Sequence, residues 1–346
     1  MTGTRGMTGT RKRWLHALWG VGLTLALIAA CTSGPGPTTD ARAGDRAAAL
    51  YADTIPPLEA VSLAPGEKLR VVATTTILAD VVAQVGGDQI QLTGLLPPET
   101  DPHSYQPTPQ DLRALAQAQV IFINGLGLED FLAETLANAG SQAPIVPVSA
   151  GVAVIELDQP QEGEDASHER GRVDPHVWFS VPNVVIWTQN IQAALSQLDP
   201  ERASAYADSG QAYRTRLQDL DAWIREQVAT VPPERRKLVT DHLAFGYFAR
   251  EYGFQQIGAL VPSFSTSARP SAQQLAKLQE QIRQEGVQAI FVGMSVNPEL
   301  AEQVAQDLGI QVVRLYIGAL SGPDGPAPTY EDFMRYDVNA IVAALR

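Results

Sequence analysis

Residues 199–233 restrict the possible folds most. Asp199-Pro200 reads as a helix start, with Asp at the cap and Pro in the first turn. Apolar or aromatic side chains then recur at Tyr206, Tyr213, Leu217, Leu220, Ile224 and Val228, spacings that hold one helix face toward the protein. Pro232-Pro233 ends the run near Val231. About thirty residues at 1.5 Å each span roughly 45 Å, enough to cross a molecule of two domains. Any fold for this chain must lay that rod against something on both sides of it.

Both flanks alternate strand and helix patterns. Before the rod, strands are expected at 69–74, 90–96, 120–123 and 144–148, with helices at 77–85, 109–118 and 129–139. After it, strands are expected at 237–240, 255–260, 289–292 and 312–315, with helices at 243–252, 298–308 and 330–345. Ser271 and Gln274 predict a capping box opening another helix that runs to Glu285. This predicts an α/β fold: two similar α/β domains with mostly parallel sheets, joined by one long rigid helix. The expected boundaries are 69–180 for the first domain, 181–232 for the helical segment and 233–346 for the second.

The first thirty residues read as a signal peptide. Arg11, Lys12 and Arg13 precede an apolar run from Trp14 to Ala30 that is short for a membrane span. Ile28-Ala29-Ala30-Cys31 resembles the lipobox of bacterial lipoproteins, which predicts lipidation at Cys31 and a tether over 31–68. The competing reading is an uncleaved anchor with an incidental cysteine. Either way the chain is exported, and its single cysteine forbids an internal disulfide, so stability rests on the core. Acidic residues outnumber basic ones, 38 to 25, for a formal net charge of −13. The signal segment holds four of the basic residues and no acid, so the rest is more negative still. That balance argues against nucleic-acid binding.

Three of the five histidines lie in unusual motifs. His103 sits in Pro102-His103-Ser104-Tyr105-Gln106-Pro107-Thr108-Pro109, on a proline-punctuated loop beyond an expected strand. His176 sits in Asp174-Pro175-His176-Val177-Trp178. His242 follows an expected strand in Asp241-His242-Leu243-Ala244-Phe245-Gly246-Tyr247-Phe248. Neutral imidazole is a common ligand for transition metals, and converging imidazoles would make a metal site. Each has a plainer reading. His103 could be a surface residue on a rigid turn, and His176, flanked by apolar residues, a satisfied core histidine. Asp241 could cap the following helix or orient the imidazole beside it, and the local pattern favours capping.

Together these segments resemble the histidine motifs of the zinc/manganese-binding solute receptors of ABC importers, of the zinc-uptake type. The resemblance covers about residues 69–346 and includes the closing run Phe333-Met334-Arg335-Tyr336-Asp337-Val338-Asn339. It implies a metal site at the domain interface, with His103 and His176 from the first domain and His242 from the second. It implies zinc as the transported ligand, with manganese the alternative. It also implies an ABC permease as partner and a monomeric receptor, lipid-anchored outside the cytoplasmic membrane or periplasmic, with no reaction of its own.

One position departs from the family. Its frequent fourth ligand, an aspartate, falls where this chain has Gly318 in Leu315-Tyr316-Ile317-Gly318-Ala319-Leu320. Water, Asp324, Asp101 or Glu99 is left for that role. The acidic loop 156–172, with Glu164, Asp165, His168 and Glu169, resembles the charged loop of zinc-type members and is read as a weak metal-capture segment or a plain solvated loop. Two other functions stay open: a zinc hydrolase using a metal-bound water, with Glu99 or Asp241 as base, and a metal-independent surface adhesin.

Overall fold

Short runs rich in Val, Ile and Phe form two four-stranded parallel sheets in the computed structural model, which describes residue 48 and residues 50–156 and 173–346. The signal segment, Cys31 and the loop residues Glu164, Asp165, His168 and Glu169 lie outside the described residues. The first sheet comprises β1 (Leu69–Ala73), β2 (Ile90–Gly94), β3 (Val120–Ile123) and β4 (Ile145–Pro147), in the order β2-β1-β3-β4. The second comprises β5 (Lys237–His242), β6 (Gln255–Val261), β7 (Ala289–Gly293) and β8 (Gln311–Leu315), in the order β6-β5-β7-β8. Every pairing is parallel.

Nine α-helices among the described residues cover the sheets: α1 (Thr76–Gly86), α2 (Pro109–Gln117), α3 (Ala133–Asn138), α4 (Val181–Leu198), α5 (Ala203–Ala229), α6 (Gly246–Tyr252), α7 (Ala272–Glu285), α8 (Glu299–Leu308) and α9 (Tyr330–Leu345). Side chains of a strand alternate between its two faces. Val71, Val120 and Phe122 accordingly enter one large core, together with Ala289 and Phe291 of the second sheet. Their neighbours Val72, Ile121 and Ile123 pack under the outer helices of the first sheet, and Ile290 and Val292 under those of the second. The two sheets therefore share a core.

The rod is α5, 27 residues long and about 40 Å at the helical rise. Tyr206, Tyr213, Leu217, Leu220, Ile224 and Val228 are all buried on it, joined by Gly210. It packs on α4 and α1 from the first half and on α6 and α9 from the second. Asp199 is not its cap. The chain makes a 3-10 turn over Pro200–Arg202, and the Asp199 carboxylate accepts from Arg202 Nη1 and Tyr206 Oη, each at 2.8 Å.

The capping box that the sequence predicts forms: Ser271 with Gln274 caps α7. Thr108, with Asp111, makes a second one on α2. Other expectations change. The helix expected over 129–139 is a 3-10 turn, Leu128–Leu132, followed by the short α3, because Glu129 leaves helical geometry (φ −88°, ψ 25°). The described part of the expected tether runs along the fold, where Leu50 is fully buried, Ile55, Leu58, Val61 and Leu63 pack on the core, and Val61 N–H donates to Leu198 O at 2.8 Å. Such contacts are worth more than the freedom of a loose linker.

Candidate metal centre

Ligands in parallel α/β sheets gather beyond the carboxyl ends of the strands. The three histidines do so here. His103 lies on the loop after β2, His242 is the last residue of β5, and His176 immediately precedes a 3-10 turn, Val177–Phe179. β5 runs two residues further than expected, so His242 belongs to the sheet and does not open a helix; α6 begins only at Gly246.

The three rings meet. Nε2 of His176 stands 3.2 Å from Nε2 of His103 and 3.2 Å from Nε2 of His242. One ligand atom of each ring lies within 4.8 Å of the others. Imidazole nitrogens at 2.0–2.1 Å from one tetrahedral ion would stand about 3.3–3.4 Å apart, so the observed spacing matches a shared cation. His176 and His242 are 0% and 3% exposed, and His103 is only part-exposed. A cleft of about 350 Å³ opens beside His103, with Tyr51, Phe131, Pro175 and Ser263 in its walls.

An aspartate stands one or two residues before each histidine, and its Oδ1 accepts the histidine's backbone N–H: Asp101 to His103 at 3.0 Å, Asp174 to His176 at 2.9 Å, Asp241 to His242 at 2.6 Å. Two of these oxygens also accept from the ring. His176 Nδ1 donates to Asp174 Oδ1 at 2.8 Å and His242 Nδ1 to Asp241 Oδ1 at 2.6 Å. With the proton on Nδ1, each Nε2 lone pair is free to face the cluster. The expectation that Asp241 caps a helix is therefore wrong. Phe245 occupies the cap position of α6 with no side-chain hydrogen bond, and Asp241 orients His242 while its Oδ2 accepts from Gly293 N at 2.7 Å.

Charge in this cluster follows from burial. Burial drives His103 and His176 well below the usual imidazole value, and mutual repulsion of the rings adds to it. Burial also pulls His242 down, but the charge and hydrogen bond of Asp241 outweigh it and leave its pKa raised. Burial pushes Asp174 up to about 8, and its Oδ2 is buried with no hydrogen-bond partner. A cation at the rings would favour the ionised carboxylate, so binding should release protons. Gly246 makes room for that oxygen, since a Cβ there would come within 2.7 Å of Asp174 Oδ2.

No carboxylate joins the three rings among the described residues. Asp101 Oδ2 accepts from Ser104 Oγ at 3.1 Å and Thr266 Oγ1 at 2.6 Å. Asp324 is exposed. Glu99 acts on Tyr316, and its backbone N–H donates to Leu320 O at 2.9 Å. At Gly318 a Cβ would come within 2.6 Å of Pro102 Cδ, so a side chain there could enter only by displacing the loop that carries His103.

The linkage of the two halves through Thr266 and Ser267, whose Oγ donates to His103 O at 3.2 Å, is not legible in the sequence. The sequence reading names Asp174 without giving it a role, although an aspartate shortly before every motif histidine is a usable signal.

The chain is similar to the manganese-binding lipoprotein MntA of Halalkalibacterium halodurans, at 31% identity over 81% of this chain and 89% of that protein. It is similar to the iron-binding protein YfeA of Yersinia pestis, at 32% identity over 80% and 86%. Among solved structures it resembles the periplasmic zinc-binding protein TroA of Treponema pallidum, with a TM-score of 0.71 and 31% identity over 81% of this chain and 99% of that one. It also resembles a Mn-bound mutant of a periplasmic metal-binding protein from Candidatus Liberibacter asiaticus, with a TM-score of 0.72 and 30% identity over 81% and 100%. Residues 71–344 match the family of the periplasmic component A of the zinc-uptake complex, and the chain belongs to that family.

Proposed function

We propose that this protein is an extracytoplasmic solute receptor that captures a divalent transition-metal ion and delivers it to an ABC permease, with His103, His176 and His242 as its ligands. The observation that carries the reading is the convergence of three Nε2 atoms, two of them held toward the cluster by buried aspartates. The relatives are named for manganese, iron and zinc, so they leave the ion open. The donor set supports zinc. Three imidazoles with no carboxylate suit zinc better than manganese, which prefers oxygen-rich sites. Water is the simplest fourth ligand, supported by the free space beside His103 and by Pro102 standing against Gly318. On this reading residues 1–30 direct export, Cys31 carries a lipid, the residues between it and Leu50 lead to the receptor, and the receptor works as a monomer.

The family is one of uptake components, so the ion is cargo and no hydrolase is assigned. The test uses chelator-stripped protein. Zinc at a hundredfold excess over Kd should stabilise it by about 2.7 kcal/mol, seen as a rise in Tm, and His242→Ala should lose most of the rise. A wild-type protein whose Tm ignores zinc would refute the reading. A larger response to manganese would overturn only the choice of ion.

A further inference from the structure

Glu129 is a buried acid whose carboxylate serves no ion pair among the described residues. It is 0% exposed. Its Oε1 accepts from Thr74 Oγ1 at 2.8 Å and Asn124 N at 2.7 Å, and its Oε2 accepts from Gly125 N at 3.0 Å. Two of these partners are backbone N–H groups, one on each oxygen, and can only donate, which suits a carboxyl group better than the amide of a glutamine. Thr74 immediately follows β1 and Asn124 immediately follows β3, so the carboxylate ties together the two central strand ends of the first sheet. The turn it holds is otherwise hard to keep. Gly125, Leu126 and Gly127 have φ of 84°, 58° and 81°, three successive left-handed residues of which one is not glycine.

The turn leads to the site. Asn124 Nδ2 donates to Pro175 O at 3.1 Å and to Gly125 O at 2.8 Å. Pro175 is the residue before His176. Among the other polar holds on this segment, Asp174 takes the backbone and ring of His176, Tyr247 Oη donates to Asp174 O at 2.9 Å, Asp174 N donates to Ile155 O at 2.8 Å, and Val177 N donates to the same Pro175 O at 2.9 Å. The link through Asn124 refers His176 to the end of β3 in the first sheet.

We propose that Glu129 is a positioning residue for the cation site, acting through Asn124 and the Pro175 carbonyl to fix where His176 stands. This rests on the reading of His176 as a ligand. The role differs from the ring hydrogen bonds of Asp174 and Asp241: Glu129 touches no histidine and sets the backbone that carries one.

The test is a double-mutant cycle on zinc affinity, measured in the full chain by competition with a chromophoric chelator. Glu129→Gln keeps the size but puts an NH2 group against a donor. It should weaken zinc about tenfold, as loss of an outer partner of a metal ligand does. The same tenfold loss should appear in a His103→Ala background and vanish in a His176→Ala background. An equal loss in both backgrounds, or none in the wild type, overturns the proposal. Should Glu129→Gln not fold, Asn124→Ala replaces it in the cycle with the same expectations. Should His176→Ala bind no zinc, the visible bands of cobalt(II)-loaded Glu129→Gln decide: displaced bands support the proposal and wild-type bands overturn it. If wild-type protein binds no zinc, the reading of the site falls and this proposal falls with it. Wild-type binding with a failed cycle removes this proposal alone.

Discussion

Asp241→Asn is the perturbation whose outcome follows most directly from the geometry. Asp241 does two things to His242. Its Oδ1 holds the Nδ1 proton at 2.6 Å, which leaves Nε2 free, and its charge raises the ring's pKa against the pull of burial. Asparagine can still present one oxygen to the ring, but its NH2 group then faces Gly293 N, now 2.7 Å from Oδ2. Loss of such a partner weakens metal binding by about 10–100-fold, or roughly 1.4–2.7 kcal/mol. The sign of the pH effect is also fixed. Zinc must displace the proton from His242, and a raised pKa means that this competition begins nearer neutral pH. The variant's His242 loses its proton more readily. The wild type should therefore bind better at pH 8, and its advantage should shrink at pH 6. Chelator competition at both pH values measures it. An advantage that is constant or grows in acid would refute the reasoning.

Other outcomes follow from neighbouring residues. Below about pH 6.5 His103 and His176 should each cost the metal-free protein stability, because burial holds them well below that value and the unfolded chain takes up protons the folded one refuses. Asp174, raised to about 8, acts with the opposite sign, since the folded state holds its proton and the unfolded state does not. Urea denaturation of stripped wild type and Asp174→Asn at pH 7.5 and 5.5 checks this: the variant should lose more on acidification, and an equal or smaller loss would contradict it. Gly318→Asp should not install the family's carboxylate. Its Cβ would meet Pro102 Cδ at 2.6 Å, so Tm should fall and manganese affinity should not rise, while Pro102→Ala in the same chain should recover part of the Tm.

The layout was readable wherever period and punctuation agree. The buried face of α5 follows its 3.6-residue apolar rhythm, and β3 follows a short Val-Ile-Phe-Ile run bounded by polar residues. The three histidines could be named because their flanking prolines, aspartates and aromatics are unusual, and because the segments resemble a known family. What could not be read depends on contacts distant in sequence. Asp199 looks like a cap until Arg202 and Tyr206 are seen to take its carboxylate. Asp241 looks like a cap because nothing local shows that β5 continues to His242 or that Gly293 waits 52 residues on. Glu129 reads as an ordinary helical acid, since its donors come from Thr74, Asn124 and Gly125, brought together only by the sheet.

The rod has a consequence for unloading. Prising the halves apart would strip α5 from packing partners on both sides and expose Tyr206, Tyr213, Leu217 and Leu220 to water. A clamshell swing is thus costly, and empty and filled receptors should keep nearly the same outline. The cheaper movement is at the seam where Thr266 and Ser267 grip Asp101 and His103 with two exchangeable hydrogen bonds. An unloading machine would gain most by tugging that seam and leaving the frame alone.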